Sequence, residues 1–317
     1  MIINSALKRI ALGTIILLLL FLFSIFPKTN HYELNPSKTV EYVSGNTNEI
    51  YLLDANNLIG RTSIILKSKT QINKVREVLE ILVIDGKRES VIPNGFRAII
   101  PSDTKILGLE LDGEIVKVNF SKDLLDVTKH LEEKLIEALT YSLTSIEGVK
   151  GVIIYIEDVI LNVLPQSGKR IPPILKRDFG VNKVYDIKTI SNINDVTIYY
   201  INKHDDNYYY VPVTKYSNDN RDKIKIIIDE LSSGPIYETN LMSFLNSNTK
   251  LLNYEIKEQT MILDFNSYLF DSLKDKKVLE EVIYSISLSV GVNYDVNEVI
   301  FRVDDEEIEK STIRSIE

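Results

Sequence analysis

The sequence predicts an α+β protein. It predicts two tandem copies of one small α/β-sandwich unit, each with two helices on one face of a mostly antiparallel sheet, after an N-terminal transmembrane helix. Three observations carry this prediction. The phrase VKVNFSKDLLD at residues 116–126 returns as MILDFNSYLFD at residues 261–271. Hairpins and helices follow in the same order around both phrases, and a long apolar run stands at the amino terminus.

The amino-terminal run predicts a membrane anchor. Residues 10–26 carry no charge, and as a helix they would be roughly 26 Å long, near the lower limit for a membrane span. Lys8 and Arg9 precede the run and Lys28 follows it, so the positive-inside rule leaves the amino end in the cytoplasm and the bulk of the chain outside. Because FSIFPK lacks a small-residue cleavage site, an uncleaved signal anchor is favoured over a cleaved signal peptide or a buried core helix.

The first copy begins with two apolar runs in EIYLLDANNLIGRTSIIL, which predict a hairpin. SKTQINKVREVLEILVIDG predicts a helix with a capping box from Ser68 and Gln71 and a stop at Gly86. A second hairpin is expected to turn at Asp112-Gly113. HLEEKLIEALTYSLTSIEG then predicts a second helix, and GVIIYIED predicts the last strand.

The second copy repeats that order. Hairpins are predicted around residues 204–207 and around Glu258-Gln259, with a helix after each one and a final strand in EVIFRVDD. The offset between matching residues drifts only between 145 and 149, which small loop insertions explain. The copies should therefore superpose, with these pairs on equivalent elements: Tyr51 and Tyr199, Phe120 and Phe265, and Leu131–Glu133 and Leu279–Glu281.

The linker between the copies contains prolines and is basic. Between Pro165 and Ile190 it holds six Lys or Arg and two Asp. A solvated linker is favoured over a basic contact patch for an anionic partner. The predicted boundaries are 1–28 for the cytoplasmic end and anchor, 29–47 for a tether, 48–160 for the first copy, 161–195 for the linker, 196–306 for the second copy and 307–317 for a charged tail.

Composition excludes several classes of function. The chain has no Cys, which rules out disulfides, a thiolate zinc site, a thiol nucleophile and a lipid-modified cysteine. Its net charge is −8, and the only charges before residue 31 are three cations, so the remainder carries −11. A domain that binds nucleic acid would need a basic face, so we expect no nucleic-acid partner for this acidic chain.

The sequence contains no motif typical of catalysis, metal binding or cofactor binding. We therefore predict no catalytic, metal-binding or cofactor-binding residues. The three histidines are His31, His130 and His204, and no His-Glu-x-x-His motif includes them. His130 begins a helix beside Glu132 and Glu133, where a solvated first turn is favoured over a metal-ligand set. No nucleophile elbow, Walker loop or dinucleotide fingerprint is present.

Five tyrosines on the first hairpin of the second copy are candidates for an interaction surface. Alternate residues of a strand face opposite ways, so about half of these rings should lie off the core. Exposed aromatic rings favour protein interfaces or sugar stacking, and an edge hairpin covered by its own helices is an equal alternative. The candidates are Tyr199, Tyr200, Tyr208, Tyr209 and Tyr210.

The repeated motifs resemble the GerM domain family of sporulation and spore-germination proteins. IIPSDTKILGLELDGEIVKVNFSKDLLD and EALTYSLTSIEGVKGVIIYIED in the first copy, and IIIDELSSGP in the second, are similar to that family's segments. The resemblance covers roughly residues 48–158 and 196–305. Each copy departs from the pattern at a different half, with LVIDGKR in one and FLNSNTKLL in the other, so neither half indicates catalysis.

The resemblance implies a role in endospore formation or germination at the forespore envelope. The family is similar in fold to ring-building modules of secretion-like assemblies, which implies a scaffold or assembly protein between two membranes. Together with the predicted anchor, this gives a membrane-anchored extracytoplasmic protein, single-pass in the cell membrane. Its expected partners are proteins of that envelope, the membrane through residues 10–26, further copies in a homo-oligomer or ring, and cell-wall glycan. The alternatives are a glycan-binding module and a peptidoglycan-processing enzyme, which would need paired carboxylates or a metal set.

Overall fold

The computed structural model describes residues 47–234 and 239–313 of the 317-residue chain. The predicted anchor with Lys8, Arg9 and Lys28, and the tether up to residue 46, lie outside the described residues. Within the described ranges, no helix is both long enough and apolar enough to span a membrane.

The two repeats share one order of elements, which confirms the tandem α+β architecture. The first repeat contains β1 (Thr47–Asp54), β2 (Ile59–Ile65), α1 (Gln71–Ile81), β3 (Phe96–Arg97), β4 (Ile106–Asp112), β5 (Ile115–Phe120), α2 (Lys129–Leu143), β6 (Gly151–Ile156) and β7 (Val159–Ile160). A short strand, β8 (Val184–Asp186), follows in the linker. The second repeat contains β9 (Asn194–His204), β10 (Asn207–Ser217), α3 (Lys223–Ser233), β11 (Leu251–Lys257), β12 (Thr260–Phe265), α4 (Glu280–Asn293), β13 (Glu298–Val303) and β14 (Glu306–Thr312).

Each repeat builds its own four-stranded sheet, in the orders β4-β5-β6-β7 and β11-β12-β13-β14. The second and third strands of each sheet are parallel because a helix connects them, and the other pairs are antiparallel. Both sheets carry a bulge at the same place in their first pair, at residues 106–108 and 251–253. A β-bulge at matched positions is expected if the two repeats arose by duplication of one unit.

The first hairpins of the two repeats leave their own sheets and join a third one. Its order is β3-β1-β2-β10-β8, with β9 also paired to β10. β2 of the first repeat pairs with β10 of the second at Arg61 and Tyr210. The repeat pattern predicted one separate sheet for each copy, and this sheet that spans both repeats was not predicted.

The backbone of each first hairpin is held by a serine from the last helix of the same repeat. The Tyr51 amide donates to Ser142 Oγ at 2.9 Å, and the Tyr199 amide donates to Ser289 Oγ at 2.8 Å. These serines are 147 positions apart, and the buried positions of α2 and α4 coincide at that offset. The sequence match of Leu131–Glu133 with Leu279–Glu281 is therefore wrong by one residue.

Local signals in the first repeat are also corrected. The N-cap of α1 is Thr70, and the Gln71 side-chain Nε2 instead donates to the Glu147 carbonyl at 2.6 Å, so no capping box forms. The helix ends at Ile81 and not at Gly86, because Val83 already forms a parallel bridge with Ile100. The loop of the β4–β5 hairpin consists of residues 113 and 114, one position later than predicted.

The pairing of Ser289 with a hairpin amide gives a stability prediction. Ser289→Ala should lower the free energy of unfolding by about 1–3 kcal/mol, because it leaves the buried Tyr199 amide without an acceptor. The matched control is Ser285→Ala on the same helix, whose buried hydroxyl has no partner among the described residues and should cost almost nothing. Urea unfolding measures both variants, and equal losses would contradict the assignment.

Candidate functional site at the joint between the repeats

Equivalent residues meet where the two repeats touch, a region that we call the joint. The hydroxyls of Tyr51 and Tyr199 are 2.8 Å apart, and these residues are separated by 148 positions. Asn202 Nδ2 donates to Asp54 Oδ2 at 3.1 Å, and these residues are also separated by 148 positions. Contact of each residue with its own counterpart is the mark of a twofold interface, here built inside one chain.

Charged groups surround the tyrosine pair. The Glu49 carboxylate accepts from Arg61 and, at 3.2 Å, from the Tyr51 hydroxyl. The Arg177 guanidinium from the linker lies 5.6 Å from the ring centroid of Tyr51 and 5.2 Å from that of Tyr141. Stacking of a guanidinium on aromatic rings is favourable where water is excluded. The linker thus contributes a cation to a joint that it also covers.

These surroundings fix the protonation of the joint. Burial by itself raises the pKa of Glu49, but the charge and hydrogen bond of Arg61 outweigh it and lower this pKa to about 2. Burial also raises the pKa of Tyr51 and of Tyr199 above the ordinary tyrosine value. Both hydroxyls therefore stay protonated, and one can donate to the other while Glu49 remains an acceptor.

A buried carboxylate holds the tip of the first hairpin to the second repeat. Asp54 Oδ1 accepts from the backbone amides of Asn56 and Leu58, each at 2.8 Å, and Oδ2 accepts from the Tyr209 hydroxyl at 2.9 Å. The Tyr209 ring packs edge-on against Phe96 with centroids 4.7 Å apart. Gly60 lies beside both rings, and a Cβ there would stand 2.8 Å from Phe96, so this approach requires glycine.

The first part of the linker is packed against the first repeat, so the prediction of a solvated linker is wrong there, whereas residues 185–194 are exposed. We call residues 162–183 the strap. Its apolar side chains enter the core of the first repeat, where the buried ones are Leu164, Ile171, Leu175, Phe179 and Val181. Three of its cations are engaged within the chain, because Lys169 and Lys183 pair with Glu133 and Arg177 enters the joint. These three cations are therefore not available for the basic contact patch that was the alternative prediction for the linker.

The first turn of α2 binds the strap and is not a solvated helix start as the sequence suggested. Glu132 is only 1% exposed and accepts from the backbone amides of Gln166 at 2.6 Å and Ser167 at 2.8 Å. Glu133 Oε1 accepts hydrogen bonds from Lys169 Nζ and Lys183 Nζ, each at 2.6 Å. These two acids act as structural acceptors for the linker.

Asn182 ties three parts of the fold together and was not noticed in the sequence. Its Nδ2 donates to the carbonyls of Ile59 on β2 at 2.8 Å and Pro212 on β10 at 2.7 Å. Its Oδ1 accepts from the Ile59 amide at 2.9 Å and from Lys134 on α2 at 2.6 Å. Its amide donates to Glu137, whose pKa is raised by burial despite nearby Lys134. One side chain therefore links both hairpins to α2.

The five candidate tyrosines separate into two groups. Tyr199, Tyr200 and Tyr209 are buried; Tyr199 and Tyr209 serve the joint, and the Tyr200 hydroxyl contacts Glu230 at 3.4 Å. Tyr208 is 45% exposed and packs edge-on against Phe244, and Tyr210 is half-buried. An interaction role for any of them stays a prediction. The repeated offset of 148 was the signal in the sequence that could have located the joint.

The depressed pKa of Glu49 gives a prediction on pH. Since its pKa is about 2 in the fold and about 4.5 ordinarily, its contribution to stability is complete above pH 4.5 and is lost as the pH falls towards 2. Glu49→Gln should therefore lose less stability than the unchanged chain between pH 5 and pH 2. Urea unfolding across this window measures it, with exposed Glu147→Gln as control. Parallel curves for the chain and Glu49→Gln would contradict the pairing.

Comparison with known proteins now identifies the family. The family model described as "Germane: Sporulation and spore germination" matches residues 49–161 and 197–309. The chain is 31% identical to the spore germination protein GerM of Bacillus subtilis (strain 168) over 284 residues, covering 87% of this chain and 76% of that protein. It is similar to the solved tandem GerMN domains of the sporulation protein GerM from Bacillus subtilis, with a TM-score of 0.77, 28% identity, and coverage of 84% of this chain and 96% of that one. The chain therefore belongs to the Germane family of sporulation and spore germination proteins.

Proposed function

We propose that this protein is a membrane-anchored, extracytoplasmic scaffold that acts in endospore formation or germination through protein contacts of its two domains. The observation that carries the proposal is the joint. A continuous sheet, the buried tyrosine pair and Asn182 hold the two domains as one body. Domains joined by a flexible linker would leave the spacing of their outer surfaces undefined.

A fixed spacing is what a scaffold needs. When two binding surfaces are held at one separation, the second contact forms at a high effective concentration, and no ordering cost is incurred at that step. The buried carboxylates support a scaffold role, because Glu132 and Asp54 each accept hydrogen bonds from backbone amides of the chain itself. Their acceptor atoms are thus engaged in holding the fold.

The family supports the setting of the proposed function. The similar protein from Bacillus subtilis is named a spore germination protein, and the matched family is described by sporulation and spore germination. The uncharged run of residues 10–26 between Arg9 and Lys28 supports the anchor. Among the five candidate tyrosines, Tyr208 is the one with the most exposed ring, and it remains our first candidate for a partner contact.

The anchor yields one prediction. Removing residues 1–28 should leave a soluble folded protein that no longer sediments with membranes, because residues 47–313 carry the cores of both repeats. Membrane fractionation and thermal melting measure the two properties. Aggregation of the shortened chain, with full-length protein well behaved in detergent, would show that the run packs on the domains instead.

The joint yields the test of the scaffold itself. Asn182→Ala removes a side chain bound to both hairpins and should cost at least about 2 kcal/mol of stability while loosening the joint. The matched control is Leu263→Ala, a buried core change on β12 that should cost about 2–5 kcal/mol and leave the joint intact. We expect a lower spore yield for Asn182→Ala than for Leu263→Ala at comparable stability. Equal yields would mean that a fixed joint is not required.

A further inference from the structure

In the first repeat, the chain itself fills the surface at the start of α2. Glu132 accepts the amides of Gln166 and Ser167, and the preceding Leu164 is 2% exposed within the core of that repeat. A short stretch of strap therefore binds there through one apolar side chain and two backbone amides taken by a carboxylate.

The second repeat has a cleft at the equivalent place. Its volume is about 160 Å³, and its lining includes Phe244, Tyr268, Asp271, Leu279 and Val282. The helix offset of 147 makes Leu279 the counterpart of Glu132 and Val282 the counterpart of Leu135. The β-hairpin offset of 145 makes Asp271 the counterpart of Asp126. No described segment of the chain plays the part of the strap at this cleft.

The cleft has groups suited to the same kind of occupant. Tyr268 is 51% exposed and lies beside Phe244 and Leu279, and polar atoms make up most of the rest of the accessible lining, which suits the backbone of a bound segment. The Asp271 carboxylate is exposed and has no donor among the described residues. Its oxygens can accept backbone amides, as those of Glu132 do in the first repeat. Small-molecule pockets measure roughly 300–1,000 Å³, so this smaller cleft has room for about one side chain of a longer chain.

We propose that this cleft docks an extended segment of a partner protein, which inserts one large apolar side chain while Asp271 accepts its backbone amides. The occupant takes the place that the strap holds in the first repeat. The inference rests on the proposed function, since it names where and how one partner binds the scaffold. A cell-wall sugar, which would stack on Tyr268, is the competing outcome of the test.

The test pans a display library of random 12-residue peptides against the full-length chain in detergent, and measures enriched synthetic peptides by fluorescence polarisation. We expect the enriched peptides to share one large apolar position. Their affinity should fall at least tenfold in Tyr268→Ser and in Leu279→Arg, because the first removes apolar surface and the second blocks the cleft. Tyr268 is largely exposed, so its change spares the fold even if Leu279→Arg does not. The control is Tyr185→Ser, an exposed tyrosine of the linker, which should leave affinity unchanged.

Other results overturn the proposal. Peptides that bind equally to both cleft variants, or no enrichment at all, would remove it. Binding of an N-acetylglucosamine tetramer that is lost in Tyr268→Ser, without any enriched peptide, would make the cleft a sugar site. If no peptide binds the cleft but Asn182→Ala still reduces the spore yield, the docking site is wrong and the scaffold proposal stands. Cleft-dependent peptide binding with equal yields for Asn182→Ala and Leu263→Ala would instead leave the docking site and remove the scaffold.

Discussion

The hydrogen bond between the Tyr51 and Tyr199 hydroxyls is the contact around which the two repeats are arranged. It is buried, and its neighbours Glu49, Arg61 and Arg177 are charged. Separation of the repeats would break this bond and would also remove Asn202 and Tyr209 from the buried Asp54 carboxylate. A buried polar group that loses its partner costs about 1–3 kcal/mol, and more if it is charged. The joint therefore favours one arrangement of the domains over a range of related ones.

The duplication could be predicted from the sequence because repeated motifs are visible without knowledge of the tertiary structure. Phe120 and Phe265 end equivalent strands as expected, and the loop at Glu258-Gln259 lies where the pattern put it. Helix ends were less predictable. Val83 continues the apolar pattern of α1, yet its bridge to Ile100 removes it from the helix, and no local signal reports a contact that distant.

The joint was harder to predict because its residues act in pairs from distant parts of the chain. Asn182 in the linker resembles any polar loop residue, and its value comes from carbonyls on β2 and β10. Glu132 likewise resembles an ordinary acid of a first helical turn until Gln166 and Ser167 are placed against it. The same contact distinguishes the two repeats, because the strap covers the start of α2, whereas a cleft lies at the start of α4.

Whether the two domains form one rigid body can be measured as a distance between them. The chain has no Cys, so Lys122→Cys and Ser267→Cys introduce two spin labels at exposed, equivalent sites, one on each domain. Pulsed electron paramagnetic resonance then reports the distribution of their separations. A rigid pair of domains should give a single narrow distribution that broadens when Asn182→Ala is added. A broad or bimodal distribution in the otherwise unchanged chain would contradict this rigidity.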